Sequence, residues 1–437
     1  MQVEQYIKHH AQSYPDKIAL ICKDTSITYA ELWDAIQLRA TEMNSDSKRA
    51  LVVRASQSID FLITYFATHV ASKAIVPLEH DYPEESLNDI IRKISHCIIP
   101  DEVADILYTT GTTGKQKGTM ISHRAIIADA ENLIESQQFS SDLTFIICGP
   151  LNHIGSLSKI WPTIMVGGTI HILEGIKDMD AFFQAIRESK TKIASFLVPA
   201  SIRMILLFGK NQLKEVAHKI DFIETGAAPI SQSDMEAICE ALPNSRLYNT
   251  YASTETGIIT THNFNDGYCI AGCLGRPMKH ASISFTEEGL IRCAGKTLMS
   301  GYVGDEELTR SVLRDGICYT NDRGELDSEG RLQLTGREGD IINIGGFKIN
   351  PVEVEDVAMS FQDIEDCICI TSPHPVLGTA LRLLVETTGN KPLDKKQLGR
   401  YLMSKLEKFK VPQMYSQVES IKRTYNGKLD RKYYKQQ

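Results

Sequence analysis

Residues 108–118 read Y-T-T-G-T-T-G-K-Q-K-G, placing four Thr, three Gly and two Lys within eleven positions. The run before it, residues 104–108, is mostly apolar and strand-like. The run after it, residues 121–134, puts Ile126, Ile127, Ala130 and Ile134 at helical spacing. A strand, a hydroxyl-rich loop and a helix together form a device for holding phosphate. Glycine lets backbone N–H groups approach the oxygens, and hydroxyls and a lysine donate further bonds. The stretch is not a Walker loop, because Thr109 and Gln116 stand where that motif needs Gly and Ser or Thr.

Around this loop the chain alternates. Residues 3–14 read as a helix, and residues 18–22 and 26–28 as strands. A helix from Tyr29 follows, with Thr28 and Glu31 spaced as a capping box. Strand, helix and strand follow at 51–53, 59–72 and 74–78. The alternation predicts an α/β domain with a largely parallel sheet. Further strands at 144–148, 220–224 and 246–248 each empty into a polar loop, and another strand at 194–198 ends at Pro199. Ligands of open α/β sheets bind outside such strand ends. From about Gly275, short segments separated by glycine turns predict an antiparallel β region. A boundary is expected at 336–340, dividing a large domain (1–337) from a small, mobile α+β domain (338–437). The small domain's first helix starts at Asn350-Pro351, with Glu353 three residues past the cap.

At 437 residues the chain is too long for one ordinary core. A net charge of -8 gives no electrostatic reason to expect nucleic acid or an anionic membrane as partner. The longest apolar stretch, near residues 160–173, is broken by Pro162, Gly167 and Gly168 and is too short to span a bilayer. Ten cysteines without a C-x-x-C pair or a completing His cluster argue for reduced thiols in a cytoplasmic protein.

The loop resembles the phosphate loop of the ANL superfamily of adenylate-forming enzymes, which includes acyl- and aryl-CoA ligases, peptide-synthetase adenylation domains and luciferases. Gln116 stands where that family usually has proline, which should loosen the loop. Four further motifs occur in the family's order. Tyr251-Ala252-Ser253-Thr254-Glu255 resembles Y-G-x-T-E, Tyr319 to Asp322 resembles Y-x-T-G-D, Gly336-Arg337 resembles the junction G-R, and Arg423 to Lys428 resembles the end of P-R-T-x-x-G-K. Asn321 replaces a glycine, and asparagine is the next best residue if that position needs a left-handed backbone. Gly339 takes the hinge position. The short segment between Pro83 and the loop suggests a trimmed N-terminal subdomain.

The resemblance implies roles. Thr109, Thr110, Gly111, Thr112, Thr113, Gly114 and Lys117 would hold the leaving phosphates of ATP. Ala227, Ala228, Pro229, Asn249, Thr250, Tyr251, Ala252 and Ser253 would form the nucleotide site, with Tyr251 stacking on adenine. Asp322 would accept from the ribose hydroxyls, and Arg337 would reach ribose or phosphate. Glu255 would hold Mg²⁺, Thr254 would meet the α-phosphate, and Lys428 would be the catalytic lysine. The acyl pocket would lie between His153, Ile154, Ser156, Ile160, Val198, Gly226, Ala227 and Ala228. Gly345, Gly346 and Lys348 would receive the thiol acceptor. Amino-acid-activating relatives carry an aspartate in the acyl pocket. The segment Asn152-His153-Ile154-Gly155-Ser156 has no acid, which favours a plain carboxylic acid, aryl or alkyl. The implied activity is an ATP-dependent acid–thiol ligase that forms acyl-AMP and then passes the acyl group to CoA. The alternatives are the phosphopantetheine of a carrier protein acting in trans, or a noncatalytic nucleotide-binding paralogue. The acid pool expected is small-molecule.

Overall fold

The computed structural model describes residues 2–45, 48–110, 116–340, 342–344, 347–374, 378–424 and 428–435. The expectations for Gly111, Thr112, Thr113, Gly114, Gly345 and Gly346 therefore lie outside the described residues. Thr110 and Lys348 end one strand and lie on another.

A helix at Glu4–Ser13 precedes the hairpin of Ile18–Cys22 and Thr25–Thr28. The next helix, Tyr29–Met43, begins at the capping box read from sequence. Thr28 Oγ1 accepts from Glu31 N–H at 3.2 Å, and the Glu31 carboxylate accepts from Thr28 N–H at 2.7 Å. The main sheet is mixed. Its parallel part runs Arg246–Ser253, Ile220–Gly226, Lys192–Phe196, Leu143–Ile147, Thr169–Ile172 and Ile18–Cys22, from neighbour to neighbour. Most residues of these strands are buried, because both faces are covered. Beyond Arg246–Ser253 the pairing turns antiparallel, through Gly257–Asn263 and Cys273–Pro277 into the glycine-punctuated strands Leu332–Arg337, Ile317–Leu326, Leu290–Gly295 and Ala281–Phe285.

A second sheet has five strands: Ala50–Arg54, Ala74–Leu78, Val103–Thr110, Gln116–Ser122 and Gly301–Tyr302. Here one expectation is corrected. Residues 116–122 form a strand antiparallel to Val103–Thr110, with Thr109 opposite Lys117, and the helix starts only at His123. Ser122 caps that helix, accepting from Ala125 N–H at 3.2 Å. The phosphate-type loop thus joins two hairpin strands and is not seated on a helix N-terminus. Ile126, Ile127, Ala130 and Ile134 do lie in that helix, whereas Thr119, Met120 and Ile121 pair with Leu107, Ile106 and Asp105 and extend the sheet up to Ser122. Gln116, the residue in place of proline, starts the return strand and accepts a hydrogen bond from the Tyr82 hydroxyl.

The C-terminal part holds the hairpin Ile342–Ile344 and Phe347–Ile349, the three strands Ile364–His374, Gly378–Thr387 and Met414–Gln417, and the helices Pro351–Met359 and Lys395–Lys405. It has its own apolar cluster, built from Ile349, Val354, Leu381, Leu383, Leu398 and Leu402 among others. The large domain's main cluster centres on Trp161, Tyr65, Phe66 and Phe145, between its two sheets. Arg203 ties the two parts together. Its guanidinium is bonded to Asp234 at 2.5 Å and reaches the Glu365 carbonyl at 3.5 Å. No helix among the described residues is long and apolar enough to cross a membrane.

Candidate functional site

The carboxyl end of the parallel strand Arg246–Ser253 and the phosphate hairpin of the second sheet are joined through Tyr302. The strand Arg246–Ser253 runs into the turn Thr254-Glu255-Thr256 and returns as Gly257–Asn263. Ser253 and Thr256 close this turn through reciprocal bonds of 3.1 Å between backbone N–H and hydroxyl. Gly257 is obligatory. Its φ is +67°, and a Cβ would lie 2.6 Å from the Thr297 carbonyl and 2.7 Å from Asp129 Oδ1.

Glu255 Oε1 accepts from the Tyr302 hydroxyl at 2.9 Å. Tyr302 lies in the short strand that pairs with Thr119 and Met120, so it links this turn to the phosphate hairpin. Lys117 Nζ lies over the Tyr302 ring, 5.3 Å from its centre. Burial and the Glu255 charge push the Tyr302 phenol far up, so it stays a donor. Tyr302 was not among the residues singled out from sequence. Only its contact with Glu255, across 47 positions of chain, reveals it.

Asp322 and Arg337 face each other in register on adjacent antiparallel strands, 3.4 Å apart. Asp322 also accepts from the Tyr251 hydroxyl at 2.8 Å. Tyr251 is 7% exposed, so its phenol anchors Asp322 and most of its ring packs against Ile259, Ile291 and Cys293. Asn321 lies within the continuous strand Ile317–Leu326 and has no positive φ, so no left-handed turn is needed there. Its carbonyl accepts from Glu338 N–H at 2.7 Å, at the start of the junction. Two residues read as nucleotide binders are committed elsewhere. Asn249 donates to the Cys273 carbonyl at 3.2 Å, and Thr250 bonds Thr261 across the hairpin at 2.9 Å. The strand Ile220–Gly226 lies beside them. A Cβ at Gly226 would meet the Thr250 carbonyl at 2.8 Å. The turn that follows puts Ala227 at φ +65°, a conformation a non-glycine residue adopts at a cost. Ala227 and Pro229 are exposed and Ala228 half-buried.

His153 caps the helix Ile154–Met165 by position, and its imidazole is held down to about 4 by burial and by the nearby Lys428 charge. It is therefore neutral across the physiological range. Glu79, from the end of Ala74–Leu78, brings a carboxylate 4.0 Å from His153 Nε2. Sequence reading found no acid in the 152–156 segment; the fold supplies one nearby from a residue 74 positions upstream. Ile154 and Val198 are half-buried, and Ser156 is 4% exposed beneath Gly149. Ile160 is fully buried in the main core and lines no pocket, which corrects its placement.

Lys428 belongs to the C-terminal part. The segment around it is closed by Thr424 N–H donating to the Lys428 carbonyl at 2.8 Å and by a bridge between Arg423 and Leu429. Its surface is exposed, yet protein surrounds its ammonium at longer range, as in an open cleft. Burial, then Arg337, lowers its pKa; Asp322 and Glu255 oppose that shift. One lysine thus feels the four groups His153, Arg337, Asp322 and Glu255, which come from separate elements of the large domain.

Elsewhere among the described residues, Glu4, His69 and His123 have potential metal-ligand atoms within 4.8 Å of one another. Both His69 nitrogens are already engaged, with Glu4 at 2.7 Å and Asp105 at 3.0 Å, so the cluster fits a buried ion network better than a metal.

The chain is similar to known proteins along nearly its whole length. The 2-succinylbenzoate–CoA ligase of Staphylococcus epidermidis is 24% identical over 470 residues, covering 98% of this chain and 96% of the relative. A ligase of the same name from Staphylococcus aureus is 28% identical, covering 76% and 66%. Among solved structures, ATP-bound MatB from Rhodopseudomonas palustris superposes with a TM-score of 0.86 at 22% identity, over 100% of this chain and 99% of that one. The o-succinylbenzoate CoA synthetase of Bacillus subtilis, in complex with its acyl-adenylate OSB-AMP, gives 0.83 at 21% identity, over 98% and 97%. The AMP-binding enzyme family matches residues 7–99 and 93–303, and its C-terminal domain matches residues 353–428. The chain belongs to the AMP-binding enzyme family of adenylate-forming enzymes.

Proposed function

We propose that the protein is an ATP-dependent acid–CoA ligase that activates a non-amino carboxylic acid as acyl-AMP. The observation that carries the reading is that Asp322, paired with Arg337 at 3.4 Å, and Glu255, held by Tyr302 at 2.9 Å, lie near enough to Lys428 to act on its charge. Curated relatives named as CoA ligases along nearly the full chain support it and favour CoA over a carrier protein.

A carboxylate is a poor acyl donor because oxide is a poor leaving group. In the first step a carboxylate oxygen attacks the α-phosphorus of ATP. An acyl O–P bond forms, and the bond to the departing pyrophosphate breaks. Such a transfer is catalysed mainly by positioning and charge neutralisation. Asp322, anchored by Tyr251 and paired with Arg337, orients the ribose. Lys117 and the hydroxyl loop hold the pyrophosphate. Lys428 brings positive charge to the developing phosphorane. In the second step the CoA sulfur attacks the acyl carbon; a C–S bond forms and AMP leaves with the shared oxygen. The small C-terminal domain, taken as 338–437, carries Lys428 for the first step and the strand bearing Lys348 for the second.

The donor set fits Mg²⁺. Glu255 offers a hard carboxylate oxygen beside the one that Tyr302 fixes. Bound there, the ion would neutralise phosphate charge.

Carboxylate-dependent ATP–pyrophosphate exchange tests the reading, followed by CoA addition to whichever acid is active. Exchange with one acid class and CoA-dependent AMP release are expected. No exchange with any acid, despite ATP binding, would overturn it in favour of a noncatalytic nucleotide binder.

A further inference from the structure

The acyl side of the cleft has a floor that no motif announced. Phe196 is the last residue of the strand Lys192–Phe196, at the carboxyl end where ligands of such sheets bind. It is only half-buried, although it packs against the main core. Its ring spans a gap between two glycines. A Cβ at Gly155 would lie 3.2 Å from Cε1, and a Cβ at Gly226 would lie 3.7 Å from Cε2, the opposite edge. Gly155 follows His153 and Ile154 in the helix start, and Gly226 ends the neighbouring strand. The ring therefore bridges the two elements expected to enclose the acyl group. It can lie there because neither neighbour carries a side chain.

One face of that ring is sealed. Lys159 Nζ stands over it, 5.3 Å from the ring centre, and is bonded to Glu224 Oε1 at 2.6 Å. Both side chains are 1% exposed. The ring nevertheless keeps part of its surface, at the carboxyl end of its strand. A long alkyl chain could extend past Phe196 only by displacing the ring and laying methylenes against a buried ion pair, with no polar partner to replace the ring's contact with the ammonium. A flat acid meets no such barrier, since an aromatic ring offers an offset-stacked surface to another.

We propose that Phe196 is the floor of the acyl pocket and that the acid activated here is an aryl carboxylic acid stacked on it. The inference rests on the ligase reading above. It adds the acid's class and the residue that sets it. Lys159 and Glu224 act through Phe196 and do not touch substrate.

The test is ATP–pyrophosphate exchange by the full chain and by Phe196→Ala, with benzoate and substituted benzoates set against a straight-chain series from butanoate to tetradecanoate. The unsubstituted protein should favour the best aryl acid over tetradecanoate by at least about tenfold in kcat/KM. In Phe196→Ala that ratio should move toward the longer chains by at least about tenfold. A ratio between two acids is indifferent to how much of the variant is folded. Equal use of tetradecanoate and aryl acids by the unsubstituted protein would overturn the proposal, as would a preference for short alkanoates over every aryl acid. An unchanged ratio in Phe196→Ala would overturn the role of that ring. Exchange with no acid at all would instead bring down the ligase reading beneath it.

Discussion

Two clusters of charge in this protein are built on opposite terms. Beneath the phosphate hairpin, His69 is clamped between Glu4 at 2.7 Å and Asp105 at 3.0 Å. Asp105 takes a further bond from Tyr65 at 2.8 Å, and Tyr65 accepts from the Trp161 indole at 3.0 Å. The three charged side chains are at most 3% exposed. In the cleft, Asp322 and Arg337 stand 3.4 Å apart with Arg337 52% exposed, and Lys428 approaches them without a close carboxylate partner among the described contacts. The scaffold's charges are dry and bonded to one another, with Glu4 Oε2 left over. The cleft's charges are wet and loosely matched, so a nucleotide's phosphates and ribose can complete them. Buried pairs hold geometry, whereas open, undersatisfied groups retain the capacity to bind.

If this contrast holds, breaking the open cluster should cost activity and leave stability alone. Lys428→Ala is expected to lower pyrophosphate exchange by roughly 100- to 1000-fold, the scale of losing one preorganised charge donor. Its unfolding free energy should stay within about 0.5 kcal/mol, as for an ordinary surface change. Exchange rates and urea denaturation check both halves, and a Lys428→Ala protein that is fully active would remove that residue from the mechanism.

The closed style should show the reverse. Lys159→Met strands Glu224 in the interior and is expected to cost about 3–5 kcal/mol in urea unfolding. Adding Glu224→Leu should recover most of that loss, because a well-packed apolar pair often matches a buried ion pair. A double variant no more stable than the single one would mean that the pair contributes more than charge balance.

These clusters also mark what the sequence could and could not reveal. Glu255, Asp322, Arg337 and Lys428 could be singled out because each sits in a short local motif that resembles one of the family's. The parallel α/β order was legible from strand and helix periodicity. Tyr302, Phe196, Glu79 and the Lys159–Glu224 pair were not. Their meaning lies in contacts between residues 47 to 74 positions apart for Tyr302–Glu255, Glu79–His153 and Lys159–Glu224, which no local pattern encodes. The helix expected over 121–134 is there, but it starts at His123: Ile121 and Ser122 belong to the return strand Gln116–Ser122, whose pairing with Val103–Thr110 no local pattern announced.

The His69 clamp sharpens the comparison through pH. Despite burial, the two carboxylates raise its imidazole to about 10 in the folded protein. In the unfolded chain it returns to about 6.5. Because the folded value is the higher one, its contribution is complete below about 6.5 and fades as pH climbs toward 10. Stability measured by urea between those limits should therefore fall with rising pH, and His69→Gln should flatten that fall. His153, held near 4, adds nothing in this window. A stability profile that stays level through it in the unsubstituted protein would show that His69 is neutral and that the clamp is a set of ordinary hydrogen bonds.

The smallest expected effect lies where the two styles meet. Tyr302 is itself buried, 4% exposed, yet its hydroxyl serves Glu255 in the open cluster. Tyr302→Phe keeps the ring beneath Lys117 and removes one bond to a carboxylate that solvent can partly replace. A loss of about 1 kcal/mol in transition-state stabilisation is expected, roughly fivefold in exchange rate. Since Glu255 would lose its fixed orientation, the loss should shrink as Mg²⁺ is raised, whereas Lys428→Ala should not respond to the ion. Mn²⁺ binding in the presence of ATP, followed by electron paramagnetic resonance, gives a readout independent of turnover and should weaken by a similar factor. Binding unchanged with activity reduced would place Tyr302 with Lys117 and the phosphate hairpin instead of with the metal ligand.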